Sequence, residues 1–364
     1  MMIKNLKLQN FRNYENEKIQ FLPGINLLAG NNGQGKTNIL EGIYYLLTGK
    51  SYRVQREQEL LRWEENEFHL YGDFLVNIHK VFLESHYKNK KKVVTVNNVP
   101  CQRLSDFVGT INIVFFSPDD LVMIKGGPLE RRRFVDLHIA QMRPGYVSTL
   151  NAYNRALHQK NALLKTYIEK SYKYSQLQFW NKQILELGEK IIQDRALLTE
   201  KIQAQANMIY GNLTSKKENI SITYLSLGKR HFTEAISEFP RLLNDKLEQE
   251  IDRQMIMIGP HRDDVQILLN GKPARNFASQ GQQRSIVLSL KLAELELINQ
   301  EKKEYPILLL DDVLSELDSF RREYLIKFIE SSRIQTLITM TDAEISFQAG
   351  TLYRVEQGHI RRVK

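Results

Sequence analysis

Gly30, Asn31, Asn32, Gly33, Gln34, Gly35, Lys36 and Thr37 follow the spacing G-x-x-x-x-G-K-[ST], a spacing suited to holding a phosphate. Glycines in such a run let the backbone turn and aim successive N–H groups at a β-phosphate, and a helix starting at its end adds a positive N-terminal pole. In this arrangement Lys36 reaches the β- and γ-phosphates as a catalytic cation, Thr37 holds Mg2+, and Asn38 follows them at the helix start. A metal held that way also needs a carboxylate. The run "ILLLDDV" supplies one, because an apolar strand ending in Asp311 delivers its side chain to the carboxyl edge of a parallel sheet, where ligands of such sheets bind. Asp311 is the candidate metal partner, and Asp312 the candidate group for orienting or deprotonating an attacking water.

Ser279, Gln280, Gly281 and Gln282 form a second candidate anion site, ahead of a helix carrying Ile286, Leu290, Ala293 and Leu297 at helical spacing. A hydroxyl and free N–H groups at a helix start hold an anion, yet the same residues make an ordinary helix cap, and both remain open on sequence. One nucleotide cannot easily use two helix ends within one domain. Two chains facing each other can sandwich it between the glycine loop of one and the serine segment of the other.

Short strands and one helix must position these groups. Ile3, Leu6 and Leu8 begin a strand-rich start, and "KIQFLPGINLLAG" offers two apolar strands broken by Pro23 and Gly24. Ile39, Leu40, Ile43, Leu46 and Leu47 then share one helical face, with Gly49 as the stop, so strand, glycine loop and helix follow directly. Residues 68–99 alternate as hairpins do, with a basic run at 88–92 that serves either as a solvated tip or as a phosphate contact. The apolar runs 307–310 and 336–338 predict buried parallel strands. Between the hairpins and these strands, 129–210 shows amphipathic helical spacing, including Leu177, Trp180, Ile184, Leu187, Ile191 and Ile192, as in a paired-helix arm. More than 270 residues separate the glycine loop from Asp311, so something large is inserted between the halves of the site. The expected division is an α/β head from 1–125 and 255–364 with a mainly helical arm at 126–254.

Composition narrows the class. The 364 residues, 42% of them hydrophobic, suffice for a sizeable core, and the formal net charge of +9 favours a polyanionic partner. The single cysteine, Cys101, excludes an intramolecular disulfide framework, and the eight histidines show no metal-ligand spacing. No run approaches the roughly 18 to 20 apolar residues of a membrane span, and the first residues lack a signal-peptide pattern, so a cytoplasmic protein without a membrane partner is expected. Candidate contacts to such a polyanion are the 88–92 run, Arg361 and Arg362, and Arg131, Arg132 and Arg133, which equally suit pairing with local acids such as Glu130.

The P-loop, "SQGQQR" and "LLLDDVLSELD" resemble the ABC-type ATPases of the chromosome-maintenance, SMC-like branch. The further set "NFRNY", "FFSPDDL", "GPHRDD" and "FASQGQQRS" is similar to the RecF family across nearly the whole chain. The resemblance implies an ABC/SMC-like P-loop ATPase head that binds ATP and Mg2+, forms an ATP-dependent homodimer and binds DNA. The expected DNA targets are single-strand gaps, ss/ds junctions or duplex, and family members help RecO and RecR load RecA during gap repair and replication restart. The resemblance also places Arg12 and Asn13 near the nucleotide, makes Ser279, Gln280, Gly281 and Gln282 the signature that closes on a partner's γ-phosphate, and makes Ser315, Glu316, Leu317 and Asp318 a D-loop. Three departures stand out. "FFSPDD" has no Q-loop glutamine, Asp312 stands where many such ATPases carry glutamate, and "TMTDAE" has no switch histidine. The last two predict slow hydrolysis, as in a switch rather than a motor. Competing expectations are the nucleotide-binding subunit of an ABC transporter, a small-molecule kinase or GTPase, and an ATPase head paired with a nuclease. These lack, respectively, an "LSGGQ" signature, an N-K-x-D loop and a carboxylate-histidine metal cluster.

Overall fold

A computed structural model describes residues 1–166, 170–341 and 350–363. The chain begins with strands β1 (Met2–Phe11), β2 (Tyr14–Gln20) and β3 (Ile25–Ala29), then helix α1 (Lys36–Thr48). Strands β4 (Glu67–Val76), β5 (His79–Lys88), β6 (Lys91–Val96), β7 (Val99–Cys101) and β8 (Ile113–Phe116) follow. Helices α2 (Val122–Lys125), α3 (Pro128–Met142), α4 (Tyr146–Lys165) and α5 (Lys170–Leu213) lead to β9 (Ile220–Leu225), α6 (Phe232–Asp245) and α7 (Leu247–Arg253). Next come β10 (Asp264–Leu269), β11 (Lys272–Pro273), α8 (Ala274–Phe277) and α9 (Gln280–Lys302). The chain closes with β12 (Ile307–Asp311), α10 (Ser319–Ser332), β13 (Thr336–Met340), β14 (Thr351–Glu356) and β15 (His359–Arg362).

Two compact units result, Met1–Asp120 with Lys291–Lys364, and Leu121–Leu290. The second extends past the expected 126–254 at both ends. It also holds a three-stranded antiparallel sheet, β11-β10-β9, that the helical expectation lacked. Ile220, Ile222 and Tyr224 of β9 alternate inward, and β9 pairs with β10 from Asp264↔Leu225 to Leu269↔Ile220. Its helical part largely follows the periodicity: of the expected stripe on the 44-residue α5, Leu177, Ile184, Ile191 and Ile192 are buried and Trp180 and Leu187 half-buried, and α5 packs against α4, where Tyr153, Ala156 and Leu164 are buried.

The first unit has two six-stranded sheets. One is antiparallel, in the order β2-β1-β4-β5-β6-β7. Phe68, Leu70 and Phe74 of β4 point inward while Glu67, His69 and Asp73 alternate outward, so one face is apolar. The other runs β15-β14-β3-β13-β12-β8 and is parallel except for the β14–β15 hairpin. Its strands β3, β8, β12 and β13 are buried at every residue, which is why their sequences are apolar on both faces. Ile39, Leu40, Ile43, Leu46 and Leu47 of α1 join Leu6, Leu8, Phe11 and Phe68 in one core. Each such large side chain contributes about 1.5–3 kcal/mol on burial. That core fixes the start of α1 over the carboxyl edge of the parallel sheet.

Candidate functional site

Strand β3 runs straight into the glycine loop, and the loop into α1. Gly35 caps the helix at φ 112°, a left-handed conformation, and a Cβ there would meet Asn13 at 2.5 Å and the Tyr14 hydroxyl at 2.8 Å. At Gly30 a Cβ would lie 2.3 Å from the Val355 carbonyl oxygen, so the backbone of β14 itself demands glycine. Lys36 is curled inside the loop, its ammonium donating to the carbonyls of Gly30 at 2.6 Å and Asn31 at 2.8 Å. Asn31, Asn32 and Gly33 form the exposed rim.

The rest of the rim is cross-braced. Asn13 donates to the Gln34 carbonyl (3.0 Å) and accepts from the Asn38 amide (2.8 Å), and the Tyr14 hydroxyl donates to the Gly35 carbonyl (2.9 Å). The Gln34 side chain accepts from the Gln357 backbone in the β14–β15 turn at 2.6 Å. Arg12 is committed to a carboxylate that the sequence did not single out: fully buried Glu41 takes it bidentately at 2.9 and 2.8 Å. Glu41 also accepts from Ser51 (2.6 Å) and Arg53 (3.4 Å), and Arg53 donates to Asn38 (2.9 Å). A carboxylate inside the otherwise apolar run "TNILEGIYYLL" was the available signal.

At the end of β12, Asp311 Oδ1 accepts from the Thr37 hydroxyl at 2.9 Å and from the Thr339 hydroxyl at 2.8 Å. Burial pushes the Asp311 carboxyl above its usual range, while those two hydroxyls pull it back. Thr339, another residue missed on sequence, in turn accepts from the Asp312 N–H at 2.8 Å. Asp312 is left-handed at φ 55° and exposed, so its carboxylate stands at the open edge of the sheet. Beyond it, Ser315 donates to the Asp312 carbonyl (2.8 Å), and Asp318 caps α10 by accepting from the Arg321 N–H (2.9 Å). The candidate metal residues Thr37 and Asp311 therefore meet, with Lys36 next to Thr37 at the end of the loop. Together they offer a hydroxyl, a carboxylate and an ammonium, a donor set that suits a Mg2+-bound triphosphate.

The serine segment belongs to the second unit. Ser279 and Gln282 form a reciprocal cap: the Ser279 N–H donates to Gln282 Oε1 at 2.8 Å, and the Gln282 N–H donates to Ser279 Oγ at 3.3 Å. Ser279 and Gln280 are exposed, Gly281 is half-buried, and the Gln282 amide also donates to Glu218 at 2.7 Å. In "FFSPDD", Asp120 accepts from the Ser117 N–H (2.8 Å) and pairs with Lys291 (3.1 Å).

The basic candidates fare unequally. Arg131 forks onto Asp264 at 2.7 and 2.9 Å, Arg132 donates to the Asp263 carbonyl, and Arg133 pairs with Glu130, so this trio is spent on its own unit. Lys92 turns to Glu57 (2.6 Å) and to the face of Tyr45, and Lys88 pairs with Glu67 (2.9 Å), while Lys90 and Lys91 stand exposed at the tip. Arg361 and Arg362 are exposed on β15. Of "TMTDAE", the residues from Asp342 onward lie outside the described ones. Among the described residues no helix is long and apolar enough to cross a membrane.

Residues 2–362 match the family described as the RecF/RecN/SMC N terminal domain. The chain is 57% identical over 366 residues to a DNA replication and repair protein RecF of Desulfitobacterium hafniense, covering 100% of both. A solved structure of the recombination mediator protein RecF-ATP in the RecFOR pathway superposes with TM-score 0.91 at 32% identity, covering 100% of this chain and 97% of the other. A Pyrococcus furiosus Smc head domain with an extended coiled coil, bound to the C-terminal domain of ScpA, shares the fold at TM-score 0.58 and 18% identity, covering 99% of this chain and 95% of the other. The glycine loop, the buried parallel strands and the long inserted segment thus sit on an ABC/SMC-like ATPase fold, and the chain belongs to the RecF family within the RecF/RecN/SMC group.

Proposed function

We propose that this chain is an ATP-binding DNA replication and repair protein that works as an ATP-gated DNA clamp. The observation that carries the reading is the meeting of Thr37 and Asp311 at 2.9 Å where the glycine loop ends. Gly30, Asn31, Asn32, Gly33, Gln34 and Gly35 wrap the phosphates with backbone N–H groups. Lys36 exchanges the Gly30 and Asn31 carbonyls for phosphate oxygens, so the loop has its cation in place before ligand arrives. Thr37 and Asp311 would hold Mg2+, which would supply neutralisation of the nucleotide's phosphate charge. Asp312 orients water, its backbone fixed by Thr339, while Asn13 and Asn38 brace the rim and Arg12 anchors α1 through Glu41.

Ser279, Gln280, Gly281 and Gln282 close on the γ-phosphate held by a second copy, giving an ATP-dependent homodimer. Asp312 in place of glutamate makes hydrolysis slow, so ATP binding closes the dimer and hydrolysis releases it. DNA at gaps, ss/ds junctions or duplex, and RecO and RecR in loading RecA, are the partners that the family and the RecFOR description of the solved relative support. The transporter-subunit alternative is not favoured, because the 57% identical relative spanning the whole chain is a DNA replication and repair protein. Light scattering tests the dimer: the mass doubles with ATP–Mg2+ and not with ADP–Mg2+. An unchanged mass with ATP at tens of micromolar protein contradicts the reading.

A further inference from the structure

Glu218 lies in the turn between α5 and β9, away from every residue so far given a role, yet it touches the serine segment. Its carboxylate is held on both sides: Tyr210 donates its hydroxyl to Oε2 at 2.7 Å, and the Gln282 amide donates to Oε1 at 2.7 Å. Tyr210 is fully buried in α5, so one anchor is rigid. The turn itself is pinned by paired bonds between Asn219 and Asn270, each 3.0 Å, and by Lys216 donating to the Gly211 carbonyl at 2.7 Å. Glu218 is thus a fixed post, and Gln282 is the flexible side chain tied to it.

Gln282 occupies the third position of α9, where its side chain already accepts from the Ser279 N–H. A glutamine there has three soft torsions and can fold back over the helix start, covering the first-turn N–H groups that an anion needs. The bond to Glu218 fixes the amide while Oε1 takes the Ser279 N–H, so the side chain is held in this one capping rotamer. Glu218 takes the Gln282 amide on one oxygen and the Tyr210 hydroxyl on the other, so the carboxylate orients Gln282 and, among the described residues, bonds to no other part of the serine segment.

We propose that Glu218, backed by Tyr210, is a positioning residue that sets the serine segment for closing on a second copy's γ-phosphate. The inference rests on the dimer reading above. Glu218→Ala frees Gln282 and removes one hydrogen bond to a charged acceptor. The expected loss is about tenfold per site and about a hundredfold in the ATP-dependent dimer constant, since a symmetric dimer uses the segment twice. Glu218→Gln keeps an acceptor for Gln282 and a donor for the Tyr210 oxygen, so it should dimerise within about threefold of wild type.

The test is sedimentation of wild type, Glu218→Ala, Glu218→Gln and Ser279→Arg in ATP–Mg2+. Fluorescent-ATP affinity at protein concentrations below dimerisation and the melting temperature are measured beside it. Support is a weakened Glu218→Ala dimer with monomer ATP affinity and melting temperature retained, together with a near-normal Glu218→Gln. A Glu218→Ala dimer as tight as wild type, an equal loss in Glu218→Gln, or a parallel fall in ATP affinity or melting temperature overturns the proposal. Ser279→Arg separates the two ideas: if it dimerises normally with ATP, the serine segment does not close the dimer and that part of the proposed function fails, and if it fails while Glu218→Ala is normal, only the role of Glu218 falls.

Discussion

Replacing Thr339 with valine removes a hydroxyl and almost no volume, so it isolates two hydrogen bonds at the heart of the site. The Thr339 hydroxyl donates to Asp311 at 2.8 Å and accepts from the Asp312 N–H at 2.8 Å, in a side chain only 2% exposed. The first is a bond to a carboxylate, worth about 1.5–3 kcal/mol, and the second leaves a backbone donor that exposed Asp312 can pass to water, so about 2 kcal/mol of stability is lost. For a unit this size that lowers Tm by about 4–8 °C. The functional effect is separate. Asp311 is already pushed up by burial, and Thr339 is one of the two hydroxyls that counter it, so Thr339→Val moves the carboxyl further toward its neutral form and loosens its aim. Losing such an orienting partner costs about 10–100-fold in metal affinity. The assay is single-turnover ATP hydrolysis against Mg2+ concentration with protein in saturating excess over ATP, with Thr339→Ser as the conservative control. A half-saturating Mg2+ concentration within twofold of wild type in Thr339→Val refutes the role assigned to Thr339.

Asp312→Asn tolerates the left-handed backbone and removes the base, so hydrolysis should fall at least about 100-fold while the ATP-bound dimer outlives that of wild type; a dimer no longer-lived would remove the role of Asp312. Gly30→Ala places a methyl against the Val355 carbonyl and should cost about 1–3 kcal/mol together with nucleotide affinity, read by thermal melting with and without ATP. His261 is held down to about 4, from an ordinary 6.5, first by burial and then by Arg262, while its Nδ1 meets the Tyr153 hydroxyl at 2.8 Å. Its depressed folded pKa means that stability is complete above about pH 6.5 and is lost as pH falls toward 4, by up to about 3 kcal/mol. Denaturant melts of wild type and His261→Asn across that window should show a steeper loss of stability toward low pH in wild type, and equal slopes would contradict the assignment.

Much of the first unit was legible because its signals are local. Strands buried on both faces, such as "ILLLD" and "TLITM", are mainly apolar, with their few polar groups hydrogen-bonded, and the loop glycines at 35 and 30 answer respectively to a helix start and to close backbone approach. What stayed hidden are choices of partner across long separations. Periodicity reports which face a residue shows, and not what it meets. Arg131 reads as a cation for DNA until Asp264, 133 positions away, takes it. Strand β9 carries a clean alternation, but it follows a 44-residue helix and pairs only with β10, so the helical context concealed it. Glu41 and Thr339 escaped for a related reason: one polar group in an apolar run is ambiguous until its partners, Arg12 in one case and Asp311 in the other, are brought to it by the fold.

The central claim is that nucleotide state gates DNA binding through the loop that holds Lys36. Fluorescence anisotropy of a labelled gapped duplex, titrated with protein in ATP–Mg2+, ADP–Mg2+ or no nucleotide and beside Lys36→Met, tests it most directly. Tight binding is expected with ATP–Mg2+ alone and is lost in Lys36→Met. Binding that is absent, or the same in all three nucleotide states, would contradict it.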